Sequence, residues 1–267
     1  GERVFLHFAP YAVHAPIMPN KKYLEHYPDL DPKEAAYATM VETVDHALGA
    51  LLATLEDEGM LKDTLFVYTS DNGGLSAHGR GGEQHVHNAP LRSGKGSAYE
   101  GGVRVPWIVR WPGVVAKGTT SDVPVISHDL YPSLLAAAGV STPKDYVLDG
   151  VDLTPFWQGG ELDREHPLVW HMPHFWGVHG PGIQPYSALR QGSLKLLFFQ
   201  GDGRIELYDV AQDPGETQDL APERPADARR LAQLLAAELL RRKAQAPRIK
   251  GGGQPLGVMA ALNEMQR

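Results

Sequence analysis

Leu65-Phe66-Val67-Tyr68-Thr69-Ser70-Asp71-Asn72-Gly73-Gly74 is a run of strand formers that ends abruptly in turn residues. Its neighbours give the run its meaning. Upstream, Tyr37, Met40, Val41, Val44, Leu48, Leu51, Leu52 and Leu55 recur at spacings of three and four, which predicts a long helix. Asp31 suits its N-cap with Pro32 at the first helical position, and Gly59 suits its stop. Earlier still, Val4 to Phe8 is a short apolar run ending at Pro10, the profile of a buried strand. Strand, long helix, strand is a βαβ-type order, and it predicts an α/β fold with a mainly parallel sheet flanked by helices. A third strand is expected from Trp107 to Trp111, and a helix from Asp129 to Ala138 closed by Gly139.

The pattern changes after Gly159-Gly160. Leu168 to Trp170, Tyr186 to Arg190, Leu194 to Phe199 and Ile205 to Tyr208 read as short strands, with Gly201-Asp202-Gly203 as a hairpin turn. A helix follows from about Ala226 to Ala244. The expected division is therefore an α/β part over residues 1–160 and a small subdomain over 161–247, a four-stranded antiparallel sheet with one helix. Residues 248–267, beginning near Gly251-Gly252-Gly253, are expected to be a flexible tail.

Composition narrows the function. Of 267 residues, 42% are hydrophobic and 21% charged, an ordinary globular balance with enough apolar material for a core. A net charge of -7 argues against a nucleic-acid partner. The densest basic stretch, Arg229-Arg230 with Arg241-Arg242-Lys243, reads as a solvated helix face. No apolar run approaches the ~20 residues of a membrane span, and Gly1 to Leu6 lacks the order of a signal peptide. There is no cysteine, hence no disulfide, thiolate metal site or cysteine nucleophile.

Three places carry candidate chemistry. Asp71 and Asn72 follow a strand, where open α/β sheets collect ligands, and their hard oxygens suit calcium or magnesium; the alternative is a plain Asp-Asn-Gly-Gly turn. In Leu91-Arg92-Ser93-Gly94-Lys95-Gly96-Ser97-Ala98-Tyr99-Glu100-Gly101-Gly102-Val103-Arg104-Val105-Pro106, glycines bracket a lone lysine without the spacing of a phosphate loop. Lys95 can project a point charge towards an oxyanion, or it is a surface lysine. His14, in Tyr11-Ala12-Val13-His14-Ala15-Pro16, can bind an oxyanion or protonate a leaving group, or is simply a solvated loop histidine. Further on, Trp170-His171-Met172-Pro173-His174-Phe175-Trp176 sets aromatics beside histidines, suited to a sulfated sugar ring or to a packed strand end. His85 and His87 form a loop pair that lacks the further ligands of a zinc site.

These motifs, in this order, resemble the second half of the type I sulfatases of the alkaline phosphatase superfamily. The resemblance continues through Ser127-His128-Asp129-Leu130-Tyr131-Pro132-Ser133-Leu134-Leu135, Asp149 to Leu153, Glu206 to Asp209 and Asp213-Pro214-Gly215-Glu216. It implies an alkaline-phosphatase-like fold and metal-dependent hydrolysis of a small-molecule or carbohydrate sulfate ester. By the same resemblance Asp71 and Asn72 are metal ligands, for Ca2+ or Mg2+, and Lys95 contacts the sulfate. His14 binds the sulfate or protonates the leaving group, and His171 and His174 face the substrate. A periplasmic or extracellular setting is implied as well.

One departure stands out. Family members use a formylglycine made from the first residue of a Cys/Ser-x-Pro/Ala-x-Arg motif, and an Asp-Asp pair completes their metal site. This chain has no cysteine, and Ser141-Thr142-Pro143-Lys144-Asp145 lacks the arginine. The expectation is a fragment or one piece of a split protein, inactive alone, with an amino-terminal half as its partner. A sulfatase-like binding protein without catalysis is the alternative. So is a phosphate-ester hydrolase of the same superfamily, which would normally carry more histidine ligands for two metals.

Overall fold

A computed structural model of the chain describes residues 3–75, 87–143, 145–247, 257–259 and 261. The long helix forms as α1, Pro32–Asp57, with the Asp31 side chain accepting from the Lys33 amide at 3.0 Å. Gly59 follows with φ +65°, the left-handed conformation that ends helices most cheaply at glycine. Its buried residues, Ala35, Ala36, Thr39 and Met40, cluster in the first turns. The apolar stripe from Val44 to Leu55 is only half-buried.

After a 3-10 turn at Leu61–Asp63 comes β1, Phe66–Thr69, which pairs with β2, Trp107–Arg110. This pairing is antiparallel, Phe66 opposite Arg110 and Thr69 opposite Trp107. The α/β class stands, but the parallel partner expected at Val4–Phe8 is not a strand here. Val4, Phe5 and Leu6 are 72%, 79% and 61% exposed and join no ladder among the described residues. Apolar run length reports a tendency to be buried; a strand exists only where a neighbour takes its backbone hydrogen bonds.

A short helix α2, Glu100–Val103, precedes β2, and α3, Leu130–Ala137, follows it. Asp129, at the start of α3, is fully buried and fully engaged. Its carboxylate accepts from the Ile126 and Val151 amides, each at 2.9 Å, and pairs with Arg164 at 2.5 Å. The Ser133 hydroxyl donates to Asp129 O and accepts from the Leu153 amide at 2.8 Å. A Cβ on Gly150 would stand 2.1 Å from His128 O, so this crossing needs glycine. The Ser-His-Asp and Asp-Gly-Val-Asp-Leu motifs are thus one architectural joint, continued by α4, Thr154–Trp157.

The second sheet runs β3 (Leu168–Met172), β4 (Tyr186–Gln191), β5 (Leu194–Phe199) and β6 (Ile205–Asp209), antiparallel throughout in that order. Alternation sorts its side chains. Leu189, Leu194, Leu196, Phe198, Ile205 and Leu207 face α5, Pro225–Arg241, which answers with Ala228, Leu231, Ala232 and Leu235 at helical spacing. Leu196, Leu207, Leu231 and Leu235 are fully buried, each contributing about 1.5–3 kcal/mol. On the opposite face Tyr186, Ala188, Leu197, Phe199 and Tyr208 pack against Ala98 and Tyr99, which come from the lysine-bearing segment. Arg241 and Arg242 near the end of α5 pair with the buried Glu238; burial pushes that carboxyl up, and the two guanidiniums more than offset this and hold it below its ordinary value.

Candidate active site

Asp71 and Asn72 lie directly beyond β1, and glycine decides what they meet. The Gly73 amide donates to Gly102 O at 2.9 Å, and a Cβ on Gly73 would stand 1.8 Å from Gly101 O, so no larger residue fits. Gly74 O accepts from the Lys95 amide at 3.0 Å and from Asn88 Nδ2 at 2.9 Å. Asn88 Nδ2 also reaches Ser93 O at 2.9 Å, which closes the turn ahead of Lys95. The carboxylate–amide pair and the lysine therefore ride on one hydrogen-bonded backbone unit. Asp71 is exposed and Lys95 half-buried, and no ion pair joins them. Asn72 donates its Nδ2 to Gly73 O at 2.9 Å, so Oδ1 is the side-chain atom that could act as a ligand.

A buried ionic cluster braces this unit from behind. Glu100 of α2, Lys195 of β5 and Glu216 are 1%, 0% and 0% exposed. Lys195 Nζ stands 2.8 Å from Glu100 Oε1 and 3.0 Å from Glu216 Oε1, the second an ion contact without hydrogen-bond alignment. Glu216 Oε2 accepts from the Glu100 amide at 2.6 Å, capping the start of α2. Burial pushes the Glu216 carboxyl above its ordinary value, with Lys195 pulling the other way. Arg92 adds a second tie, donating to Glu216 O at 2.9 Å with its guanidinium 3.9 Å from the Tyr99 ring centre. The Tyr99 hydroxyl donates to Glu206 Oε2 at 2.8 Å. The one local sign of this brace in the sequence is a lysine inside the apolar run Leu194-Lys195-Leu196-Leu197, since a buried charge needs a partner.

Two family profiles match the chain: Sulfatase over residues 1–140, and N-sulphoglucosamine sulphohydrolase, C-terminal, over 94–245. Each covers more than half of the sequence. The chain belongs to the sulfatase family. Steryl-sulfatase of Rattus norvegicus is 34% identical over 212 residues, 70% of this chain and 37% of that protein. A sulfatase of Formosa agariphila is 33% identical over 245 residues, 83% of this chain and 43% of that protein. Among solved structures, Ps i-CgsB in complex with k-i-k-neocarrahexaose superposes with a TM-score of 0.73 at 28% identity, covering 88% of this chain and 49% of that one. BT4656 in complex with its substrate D-glucosamine-2-N,6-O-disulfate gives 0.64 at 26% identity, covering 85% and 46%. The chain thus spans less than half the length of each of these relatives, and its fold is the alkaline-phosphatase-like fold of the sulfatases.

Within this sulfatase frame the histidines separate. His14 is exposed, and its contacts stay within its own loop: the amide to Tyr11 O at 3.0 Å and Nδ1 to Ala15 O at 2.7 Å. A carbonyl only accepts, so Nδ1 carries the proton and Nε2 is the atom left to act. No hydrogen bond or ion pair joins His14 to Asp71 or Lys95 among the described residues. The loop after it leans on the start of α1, where Pro16, Ile17 and Pro19 line a groove with Pro32 and Ala36. From there Glu34 meets His87 Nε2 at 2.8 Å, next to the Asn88 that holds Gly74. His85 lies outside the described residues.

His171 does not join the site. Strand alternation turns it to the α5 face with Val169, whereas Trp170 and Met172 face Tyr99. Its Nδ1 lies 2.9 Å from the Ser187 hydroxyl on β4 and its Nε2 2.7 Å from Gln245 O in the chain after α5, so both ring nitrogens are engaged. His174 is exposed in the loop between β3 and β4, and that loop does approach Lys95.

The donor set fits a hard divalent cation in part. Asp71 and Asn72 offer oxygens of the right type, but calcium takes about six to eight. Among the described residues no group of three or more His, Asp or Glu is placed to hold a metal. Asp71 and Asn72 alone would fill only a fraction of such a coordination shell.

Proposed function

We propose that this chain supplies the carboxyl-terminal part of a sulfuric-ester hydrolysis site, acting on sulfated carbohydrates when the remaining groups are present. The observation that carries the reading is the glycine crossing, which fixes Asp71-Asn72 against the Lys95 loop through Gly73, Gly74 and Gly102. Asp71 and Asn72 would hold a calcium or magnesium ion, which when bound supplies Lewis-acid charge to the sulfuryl oxygens. Lys95 places a fixed positive charge where a leaving or non-bridging oxygen gains negative charge. His14, protonated on Nδ1 towards Ala15 O, can give a proton from Nε2 only as imidazolium. His174 lies on the substrate side. The carbohydrate class rests on the sugar ligands of the two solved relatives named above.

The nucleophile is not on this chain, which has no cysteine and no serine in the required pattern. The pure chain with calcium should therefore turn over no aryl sulfate; robust activity would overturn this assignment. Joined to a segment that supplies the formylglycine motif and the aspartate pair, it should hydrolyse sulfate esters, and Lys95→Ala should lower kcat about 100-fold or more. If that variant keeps full activity, Lys95 is not the sulfate lysine.

A further inference from the structure

The loop between β3 and β4 is not a free connection. Ser93 and Ser97, on either side of Lys95, both donate their hydroxyls to Pro181 O, at 2.8 and 2.9 Å, and the Ala98 amide donates to Gly182 O at 3.2 Å. Gly182 has φ +69°, and a Cβ there would stand 2.5 Å from Ser97 Oγ and 2.6 Å from the Tyr99 ring. The loop is thus seated on the lysine turn by its far end. Its near end carries Phe175 and Trp176. The indole lies over Gly96, where an added Cβ would stand 2.4 Å from Cε3, and Lys95 Nζ lies 5.9 Å from the Trp176 ring centre. Yet Trp176 remains 37% exposed and Phe175 50%, with the His179 ring 5.1 Å from Phe175.

Two open aromatic rings beside an ammonium call for an occupant with an apolar face and a negative group at one edge. From this arrangement we infer that Phe175 and Trp176 form the subsite for the ring of the sulfate's alcohol, a pyranose, and set the preference for sulfated sugar over free sulfate. The sulfate sits at Lys95, the C–H face of the sugar stacks on the rings, and His174 and His179 face its hydroxyls. Gly96 is part of the device: any side chain there would push the indole off the lysine turn. The inference rests on the assignment of Lys95 to the sulfate, and it adds what lies beyond the ester oxygen.

The test uses the full chain, with tryptophans labelled as 5-fluorotryptophan and the Trp176 resonance assigned through Trp176→Phe. Inorganic sulfate and glucose 6-sulfate are titrated separately by fluorine NMR. Glucose 6-sulfate should shift the Trp176 resonance and bind more tightly than sulfate. Trp176→Ala should lower the ratio of the two affinities about tenfold, and Trp176→Phe should restore most of it. Phe175→Ala, which leaves the Gly96 contact intact, should lower the ratio as well, with an unchanged melting temperature showing that the fold is kept. An unchanged ratio in both alanine variants overturns the subsite. Lys95→Ala tests the underlying assignment separately: it should weaken both probes, and if it weakens neither while the alanine variants still change the ratio, the sulfate assignment fails and the ring subsite survives. A chain that binds neither probe overturns both.

Discussion

Replacing Lys195 by methionine isolates the brace behind the site. Methionine keeps most of the volume and removes the ammonium, so Glu100 and Glu216 are left facing each other with 2% and 0% of their side chains exposed. Breaking a buried pair by removing one partner costs about 3–5 kcal/mol; here Glu216 loses its ion-pair partner, and Glu100 keeps only Arg190 and Arg104, at 3.8 and 3.9 Å. For a chain of this size that corresponds to a fall in melting temperature of roughly 6–20 °C. The pH dependence gives the sharper check. Glu216 already has its pKa raised by burial, so between its ordinary value and the raised one the folded state holds a proton that the unfolded state releases. Over that window the stability contributed by this group falls as pH rises. Without Lys195, whose charge pulls the pKa down, the window widens upward. Urea unfolding followed by tryptophan fluorescence should therefore show a larger stability difference between wild type and Lys195→Met at pH 8 than at pH 5. Glu216→Gln, which relieves the crowding of the two acids and keeps an acceptor for the Glu100 amide, should lose only about 1–2 kcal/mol. A Lys195→Met loss under 1 kcal/mol, or one that grows as pH falls, would refute the reasoning.

Other expectations follow from the same contacts. Gly73→Ala drives a methyl into Gly101 O and should destabilise the fold by about 1–3 kcal/mol while weakening sulfate binding, as read by thermal unfolding and titration; a neutral variant would mean that the crossing is loose. Calorimetry on the isolated chain should find calcium no tighter than the weakest protein sites, about millimolar, since two oxygen ligands are a fraction of a coordination shell; micromolar binding would show that the chain completes the site itself. Val4, Phe5, Leu6 and the 58%-exposed Ile108 leave apolar surface open, so sedimentation should show the isolated chain associating, and a stable monomer at high concentration counts against this.

How much of this was legible depends on whether the signal was local. α1 is written in local terms, from the Asp31 cap to Gly59, and its ends fall where the sequence places them. The four strands of the second sheet are short alternating runs between turn residues, so their positions were readable too. The orientation of β1 against β2 was not: the two runs are nearly forty residues apart, and nothing in either states which direction its partner runs. The site divides the same way. Asp71, Asn72 and Lys95 share a glycine-rich backbone unit that the motifs announce. His171 sits among aromatics along the sequence, but a period of two puts it on the face opposite Trp170, and only the packing of Tyr99 and α5 reveals which face is which. Glu100 and Glu216 were visible as letters in motifs; their meeting at Lys195 is a tertiary fact.

That meeting changes what the second half of the chain is for. Read along the sequence, residues 161–247 look like an appended subdomain, yet its strand β5 supplies Lys195, the turn after β6 supplies Glu216, and the β3–β4 loop supplies Pro181 and Gly182 to Ser93, Ser97 and Ala98. Without them Ala98, Tyr99 and Glu100, now 0%, 1% and 1% exposed, would face water, and α2 would lose its cap. Since Gly101 and Gly102 of α2 are what Gly73 rests on, the geometry of Asp71 and Lys95 depends on a sheet that contributes neither residue. A chain ending at Gly160 should therefore lose the site's architecture as well as its second sheet. Limited proteolysis should cut it within the segment from Leu91 to Val103, which the intact chain protects. Equal protection in the shortened chain would show that the first part holds its lysine turn unaided, and that the brace is packing without consequence for the site.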